Sequence, residues 1–193
     1  MARLKAPQRR QQLLDVATKL FAKYGYDATT TAAIADAAGI SEPILYRHFK
    51  NKQDLFIAIT REMSKKTLEH WQELIAGIDD PAEQLRAVAR EFPSHIRQLS
   101  DAYRVLHNGL TTSHDRKVLA VLKEHYTQIE NFFTQIIQTG QKKGVFRAMN
   151  AKVPVWQLIN LGIGYAMIGL NLSQFDHFPV EESIEFILKG LKA

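Results

Sequence analysis

Apolar residues recur at three- and four-residue intervals along almost the whole chain, with no convincing two-residue alternation and no strand pair flanking a hairpin turn. A sequence patterned this way buries stripes of helices against one another, so the expected fold class is all-α. The helix signals are frequent. A first helix is predicted from about Gln8 to Tyr24, with Leu13, Ala17, Leu20 and Tyr24 on one face, Val16 and Phe21 beside them, and Gly25 as its stop. Thr30 or Thr31 can cap a short second helix ending near Gly39. Ser41 can cap a third reaching about Phe49. Asn51, with Asp54 three residues on, can cap a fourth that continues to about Ile75.

After a break at Gly77 to Pro81, helices are predicted from about Ala82 to Leu99, bent or interrupted at Pro93, and from Asp101 to Gly109. Three more follow, from His114 to Gly140, Pro154 to Leu172 and Val180 to Leu191. No flexible linker separates the first 50 residues from the rest, so the fourth helix is expected to belong to both parts.

Composition excludes several classes. With no cysteine, disulfides and thiolate metal sites are ruled out, and a reducing compartment such as the cytosol fits. The N-terminal Arg3, Lys5, Arg9 and Arg10 are followed by no apolar run of the kind a secretory signal carries. No charged residue lies between Lys152 and Asp176. That stretch nevertheless contains Pro154, Gln157, Asn160 and Asn171 and three glycines, so it reads as a buried helix and no membrane partner is expected. The seven histidines show no metal-binding spacing, Ser113-His114-Asp115 reads as a polar helix start, and Gly162 to Gly169 does not fit a dinucleotide fingerprint. No catalytic set, metal or cofactor is expected.

Charge is placed unevenly. Residues 1–54 hold nine Lys or Arg against five Asp or Glu, whereas residues 55–193 hold sixteen against fifteen. A localised basic segment is the footprint of phosphate binding, although it also aids solubility. Residues 31–50, T-A-A-I-A-D-A-A-G-I-S-E-P-I-L-Y-R-H-F-K, show how such a segment could dock. Ala35 is small where two helices must approach, Gly39 permits a tight turn, and Ile34, Ala38, Ile40 and Leu45 fall on the inner face. Pro43 lies in the first turn of the next helix, where a missing N–H costs little. This is the pattern of a helix-turn-helix, whose second helix enters the DNA major groove.

The motifs G-Y-x-x-T-T at 25–30, I-A-x-x-A-G-I-S at 34–41 and L-Y-R-H-F-K-N-K at 45–52, followed by Leu55, resemble the TetR family of bacterial transcriptional regulators. The resemblance covers about 50 residues and implies a homodimer. Its N-terminal three-helix DNA-binding unit, residues 1–52, would join a C-terminal helical ligand-sensing and dimerisation domain, residues 53–193. It implies a sequence-specific, cytoplasmic regulator, a repressor released from an inverted-repeat operator by a small molecule, or an activator or regulator with no such effector. Carried over by position, Thr30 and Thr31 would contact phosphate, and Ser41 would open the recognition helix. Glu42, Pro43, Ile44 and Arg47 would face the groove floor, while Tyr46, His48 and Lys52 would hold the backbone. Arg47 suits guanine O6 and N7, or alternatively a phosphate; Glu42 suits cytosine N4 and Ile44 a thymine methyl.

In the remainder, Val118, Leu122, Ile129, Phe133 and Ile136, broadened by Val121, Phe132 and Ile137, form one apolar face. Trp156, Ile159, Ile163, Met167 and Leu170 form another, with a small-residue stripe at Gly162, Ala166 and Gly169. These two helices suit a four-helix subunit interface, or alternatively only the chain's own core. Trp71, Phe92, His95, Tyr103, His107, Tyr126 and Tyr165 are candidates to line a pocket for a small apolar or weakly polar effector.

Overall fold

The computed structural model describes residues 5–172 and 179–192; Arg3 of the basic N-terminal stretch and Asp176 lie outside them. The described residues form helices α1 (Ala6–Tyr24), α2 (Thr31–Ala37), α3 (Glu42–Tyr46), α4 (Lys52–Ile75), α5 (Pro81–Gln98), α6 (Ser100–Thr112), α7 (Arg116–Lys142), α8 (Lys152–Gly169) and α9 (Val180–Leu191). The all-α expectation holds, and among these residues the sole β-type pairing is an isolated bridge between Phe146 and Lys192. No described helix is long and apolar enough to cross a membrane.

The chain divides into two compact units. One comprises the residues up to Met63 together with Asp101–Glu124, and the other Ser64–Ser100 with the residues from His125 on. Thus α4 and α7 each supply residues to both.

In the first unit α1 buries Leu13, Leu14, Ala17 and Phe21. Tyr24, expected on that face, is exposed. The last turn of α1 runs beyond the core, and the ring that closes this end is Tyr26, 5.4 Å from Phe21 and 5.5 Å from Phe56 between centroids. Helix α6 was expected to stop at Gly109 but runs on to Thr112. Gly109 is there because Phe56 needs the space: a Cβ at this position would lie 2.4 Å from the Phe56 ring. Asp115 opens α7 by accepting from the Lys117 and Val118 amides, at 2.8 and 3.2 Å, and its other oxygen accepts from Gln53 at the start of α4. The Ser-His-Asp run is therefore a polar helix start.

In the second unit α5 packs against α8 and α9. Asp80 caps α5 through the Ala82 amide, and Pro81 occupies its first turn. Of the two outcomes expected at Pro93, a bend or an interruption, the helix shows no interruption and runs through it. A proline φ is helical, its cost is chiefly one lost hydrogen bond and crowding of the preceding turn, and the buried Leu85, Val88 and Ile96 hold the helix on its neighbours. All eight residues assigned to the apolar face of α7 are buried within the chain. The stripe expected on α8 is split: Ile159 is buried with Val155, Leu158 and Ala166, while Trp156 and Met167 are exposed. Of the small residues on α8, Gly162 serves a close approach inside the chain, since it faces the Phe92 ring of α5.

Candidate nucleic-acid interface

Helices α2 and α3 build the helix-turn-helix. Thr30 caps α2, its Oγ1 accepting from the Ala33 amide at 3.1 Å. The turn is closed by Gly39 N–H to Asp36 O at 2.9 Å and Ile40 N–H to Ala35 O at 3.0 Å. Gly39 adopts φ +67°, the left-handed region. A Cβ there would meet open space, so any penalty is purely one of backbone conformation. We expect Gly39→Val to cost about 1–2 kcal/mol or more in urea unfolding, because an L residue pays that in the left-handed region and a β-branched one pays most.

Ile34, Ala35, Ala38, Leu45 and Phe49 are buried, as the inner face requires, and Ile40 is half-buried. Gln12 of α1 donates to Ala38 O at 3.2 Å, and the Arg10 guanidinium lies 4.8 Å over the Phe49 ring. These two contacts pin α1 to the turn and to the end of α3. Helix α3 ends at Tyr46, short of the expected Phe49, and the chain continues in a tighter turn with His48 N–H and Phe49 N–H both donating to Leu45 O. Ser41 occupies the capping position of α3, but its hydroxyl makes no capping bond.

The outer face carries the residues picked from the sequence. Thr30, Ser41, Pro43, Tyr46 and Arg47 are exposed, whereas Thr31, Glu42, Ile44, His48 and Lys52 are half-buried. Thr31, Glu42 and Tyr46 come together: Thr31 Oγ1 donates to Glu42 Oε1 at 2.6 Å and lies 3.1 Å from Tyr46 Oη. The Lys52 ammonium donates to Tyr26 O and Asp27 O, at 2.7 and 3.2 Å, and sits 4.4 Å over the Tyr26 ring. It ties the loop after α1 to the start of α4. Asn51 caps α4 through the Asp54 amide at 2.8 Å, and Asp54 accepts from Lys50 N–H at 3.1 Å, the expected box shifted by one residue.

Three supports were missed from sequence. Gln12 carried no signal, and Tyr26 stood in the G-Y-x-x-T-T motif but without an assigned role. Thr29 is a buried hydroxyl that donates to Gly25 O at 2.8 Å, and its place in the Thr run was the available clue.

The seven pocket candidates do not all converge. Trp71, Phe92, His95 and Tyr165 do, with Trp71 6.1 Å from Phe92 and 6.3 Å from His95, and Phe92 5.8 Å from Tyr165. Phe132 and Phe133, read from sequence as part of the apolar face of α7, complete the cluster at 5.5 Å each from Trp71. Trp71 Nε1 is buried with no hydrogen-bond partner. The His95 ring stacks on His70 at 4.8 Å, and its Nε2 meets Thr67 Oγ1 at 3.0 Å. Burial, and then the neighbouring His70, push the His95 pKa down to about 4, so the ring is neutral at pH 7. Tyr126 packs on His125 instead. Tyr103 and His107 belong to the other unit, where they lie 6.3 Å apart.

An exposed helix-turn-helix face, with its inner face buried and a basic surround, defines a DNA-binding regulator of the helix-turn-helix class. The family model described as "Bacterial regulatory proteins, tetR family" matches residues 13–59. The HTH-type transcriptional repressor KstR2 of Rhodococcus jostii is 30% identical over 140 residues, 72% of this chain and 69% of that protein. The chain belongs to the TetR family of bacterial transcriptional regulators. The HTH-type transcriptional activator FasR of Mycolicibacterium smegmatis is 34% identical over 104 residues, which cover 54% of this chain and about half, 48%, of that relative. Among solved structures, a tetR-family regulatory protein from Rhodococcus RHA1 matches with a TM-score of 0.80 at 21% identity, covering 96% of this chain and 98% of that one. AibR, solved in complex with isovaleryl coenzyme A and operator DNA, matches with a TM-score of 0.75 at 19% identity, covering 95% and 98%.

Proposed function

We propose that the protein is a cytoplasmic, homodimeric repressor that binds an inverted-repeat operator and is released by a small apolar or weakly polar effector. It acts by binding and not by catalysis. DNA binding falls to residues 1–52, and ligand sensing and dimerisation to residues 53–193. The observation that carries the DNA reading is the outer face of α2 and α3, where Thr30, Thr31, Ser41, Tyr46, His48 and Lys52 surround Pro43, Ile44 and Arg47. Phosphate contacts would come from the hydroxyls, the imidazole and the ammonium, and base contacts from Arg47 and Ile44.

Selection from a random duplex pool, at near-physiological salt, tests this. An enriched inverted repeat is expected, bound at roughly 10 nM or tighter. Arg47→Ala is expected to weaken that site by about 1–3 kcal/mol and to relax one base position. Equal loss on every sequence would make Arg47 a phosphate contact.

The apolar face of α7 that the sequence offered for the dimer is buried within the chain. Of the exposed apolar residues, which also include Leu119 of α7, we place the interface on Val153, Trp156, Met167 and Ile168 of α8 and Phe186 of α9. Two such helices from each copy would meet across a two-fold axis.

For the effector, the cluster around Trp71 supplies aromatic walls, a neutral histidine and one unpartnered N–H donor. These features favour an uncharged ligand bearing an acceptor. Solved relatives hold ligands of diverse chemistry: AibR with isovaleryl coenzyme A, and a regulator from Saccharomonospora viridis with choline. Release requires that the ligand bind the two states of the protein unequally. FasR, by its name an activator, favours a second reading in which the same interface activates. A metabolite that shifts both melting temperature and operator affinity supports effector control, and a promoter fusion decides the sign.

A further inference from the structure

Resting on the reading of this face as the DNA interface, the geometry points to Glu42 as a brake on phosphate binding and not as a reader of cytosine. The reasoning is proton bookkeeping. A carboxylate accepts only, and each hydroxyl carries a single proton. The Thr31 proton is committed to Glu42 Oε1 at 2.6 Å, so the 3.1 Å contact between Thr31 Oγ1 and Tyr46 Oη must use the Tyr46 proton. The result is a chain from the Tyr46 hydroxyl to the Thr31 hydroxyl to the Glu42 carboxylate.

Phosphate oxygens also accept only. In the DNA-free protein, Glu42 therefore occupies the role a phosphate would take, holding the Thr31 proton directly and, through the Thr31 oxygen, keeping the Tyr46 proton turned inward. For Thr31 to engage the DNA backbone its proton must turn away from a charged acceptor, which is the stronger kind of hydrogen-bond partner, and the Tyr46 proton must leave the Thr31 oxygen. Glu42 adds its own negative charge beside the incoming phosphate. Both effects act on every DNA sequence alike, so Glu42 lowers non-specific binding without choosing a base. Operator and non-specific binding are weakened by the same factor, so the ratio between them is unchanged and Glu42 sets how much protein is needed to occupy either.

The test uses the full chain, with the selected operator duplex and an unrelated duplex of equal length, in titrations read by fluorescence anisotropy at several salt concentrations. Glu42→Gln removes the charge but keeps an acceptor, whereas Glu42→Ala removes both. Binding to both duplexes is expected to tighten by about 3- to 10-fold for Glu42→Ala, with Glu42→Gln in between and the selected base preference unchanged. In a Thr31→Val background, which removes the donor to residue 42, the difference between the two Glu42 variants should disappear, whereas in a Tyr46→Phe background it should shrink but persist. Tyr46 is exposed, so its variant does not test folding.

Weakened operator binding together with an altered preference at one base pair would make Glu42 a base reader and overturn the inference. Equal gains for Glu42→Gln and Glu42→Ala, persisting without the Thr31 hydroxyl, would overturn it in favour of charge alone. Wild-type protein that selects no duplex would instead remove the DNA reading of this face, and the inference with it.

Discussion

Phe56→Ala should cost about 3–5 kcal/mol of stability, the usual loss for emptying a buried phenylalanine site. Phe56 is fully buried in the first unit, with Tyr26 edge-on against it, Gly109 beneath its ring and Leu122 alongside. None of these can fill the void. Gly109 has no side chain, and Tyr26 is held by Phe21 on one side and by the Lys52 ammonium on the other. Since a domain of this size retains about 5–15 kcal/mol in total, the loss is a large share. Urea unfolding followed by circular dichroism should show the midpoint fall, with operator binding lost on warming before it is lost in the wild type. A change below about 1 kcal/mol would mean that the ring is not packed as described. Gly109→Ala probes the same contact from the opposite side: it overfills the site and should cost about 1–3 kcal/mol.

Phe186→Lys should leave the chain folded but monomeric. Phe186 is 79% exposed on α9, so its ring contributes little to the core of its own chain. A solitary exposed aromatic is unremarkable. Here it accompanies Val153, Trp156 and Met167 on α8, a helix with which α9 packs. A lysine at this position follows Glu182 by four residues on the same helix, an arrangement that favours the helix slightly. Any defect should therefore lie in assembly. Light scattering is expected to report the mass of one chain for this variant and of two, the proposed dimer, for the wild type, and the melting curve should lose its dependence on protein concentration. Affinity for the inverted repeat should fall by roughly 100-fold or more, because two tethered recognition helices bind with avidity that one lacks. A dimer that persists in this variant would move the interface off α9.

The helix-turn-helix was readable from sequence because a tight turn between two short helices restricts residue type at each position. Gly39 must take a left-handed backbone, Ala35 must be small, and Ile34 and Leu45 must be apolar. Periodicity was less informative where a helix outruns its core. Tyr24 has the right spacing for burial yet lies past the end of the packed face, and Tyr26, outside any periodic pattern, closes the core instead. On α8, apolar residues all round the helix gave no means of telling which side faces inward. The cluster at Trp71 joins residues 71, 92, 95, 132, 133 and 165, whose meeting depends on how α4, α5, α7 and α8 pack, which no local pattern encodes. Glu42 was legible as a residue of the recognition helix, but its bond to Thr31, eleven positions earlier, was not.

The two tryptophans of the chain occupy opposite environments. Trp71 is enclosed by aromatic rings with its N–H unpaired, and Trp156 stands 41% exposed on α8. Their emission should therefore differ, blue-shifted from the enclosed indole and red-shifted from the solvated one. Trp156→Phe leaves a protein whose intrinsic fluorescence reports on the aromatic cluster, and Trp71→Phe leaves one that reports on the outer face of α8. With no cysteine in the chain, a single introduced thiol can add an energy-transfer partner to either. The proposed ligand entry and the proposed subunit association can thus be followed separately, in real time, with optical probes that the protein already carries.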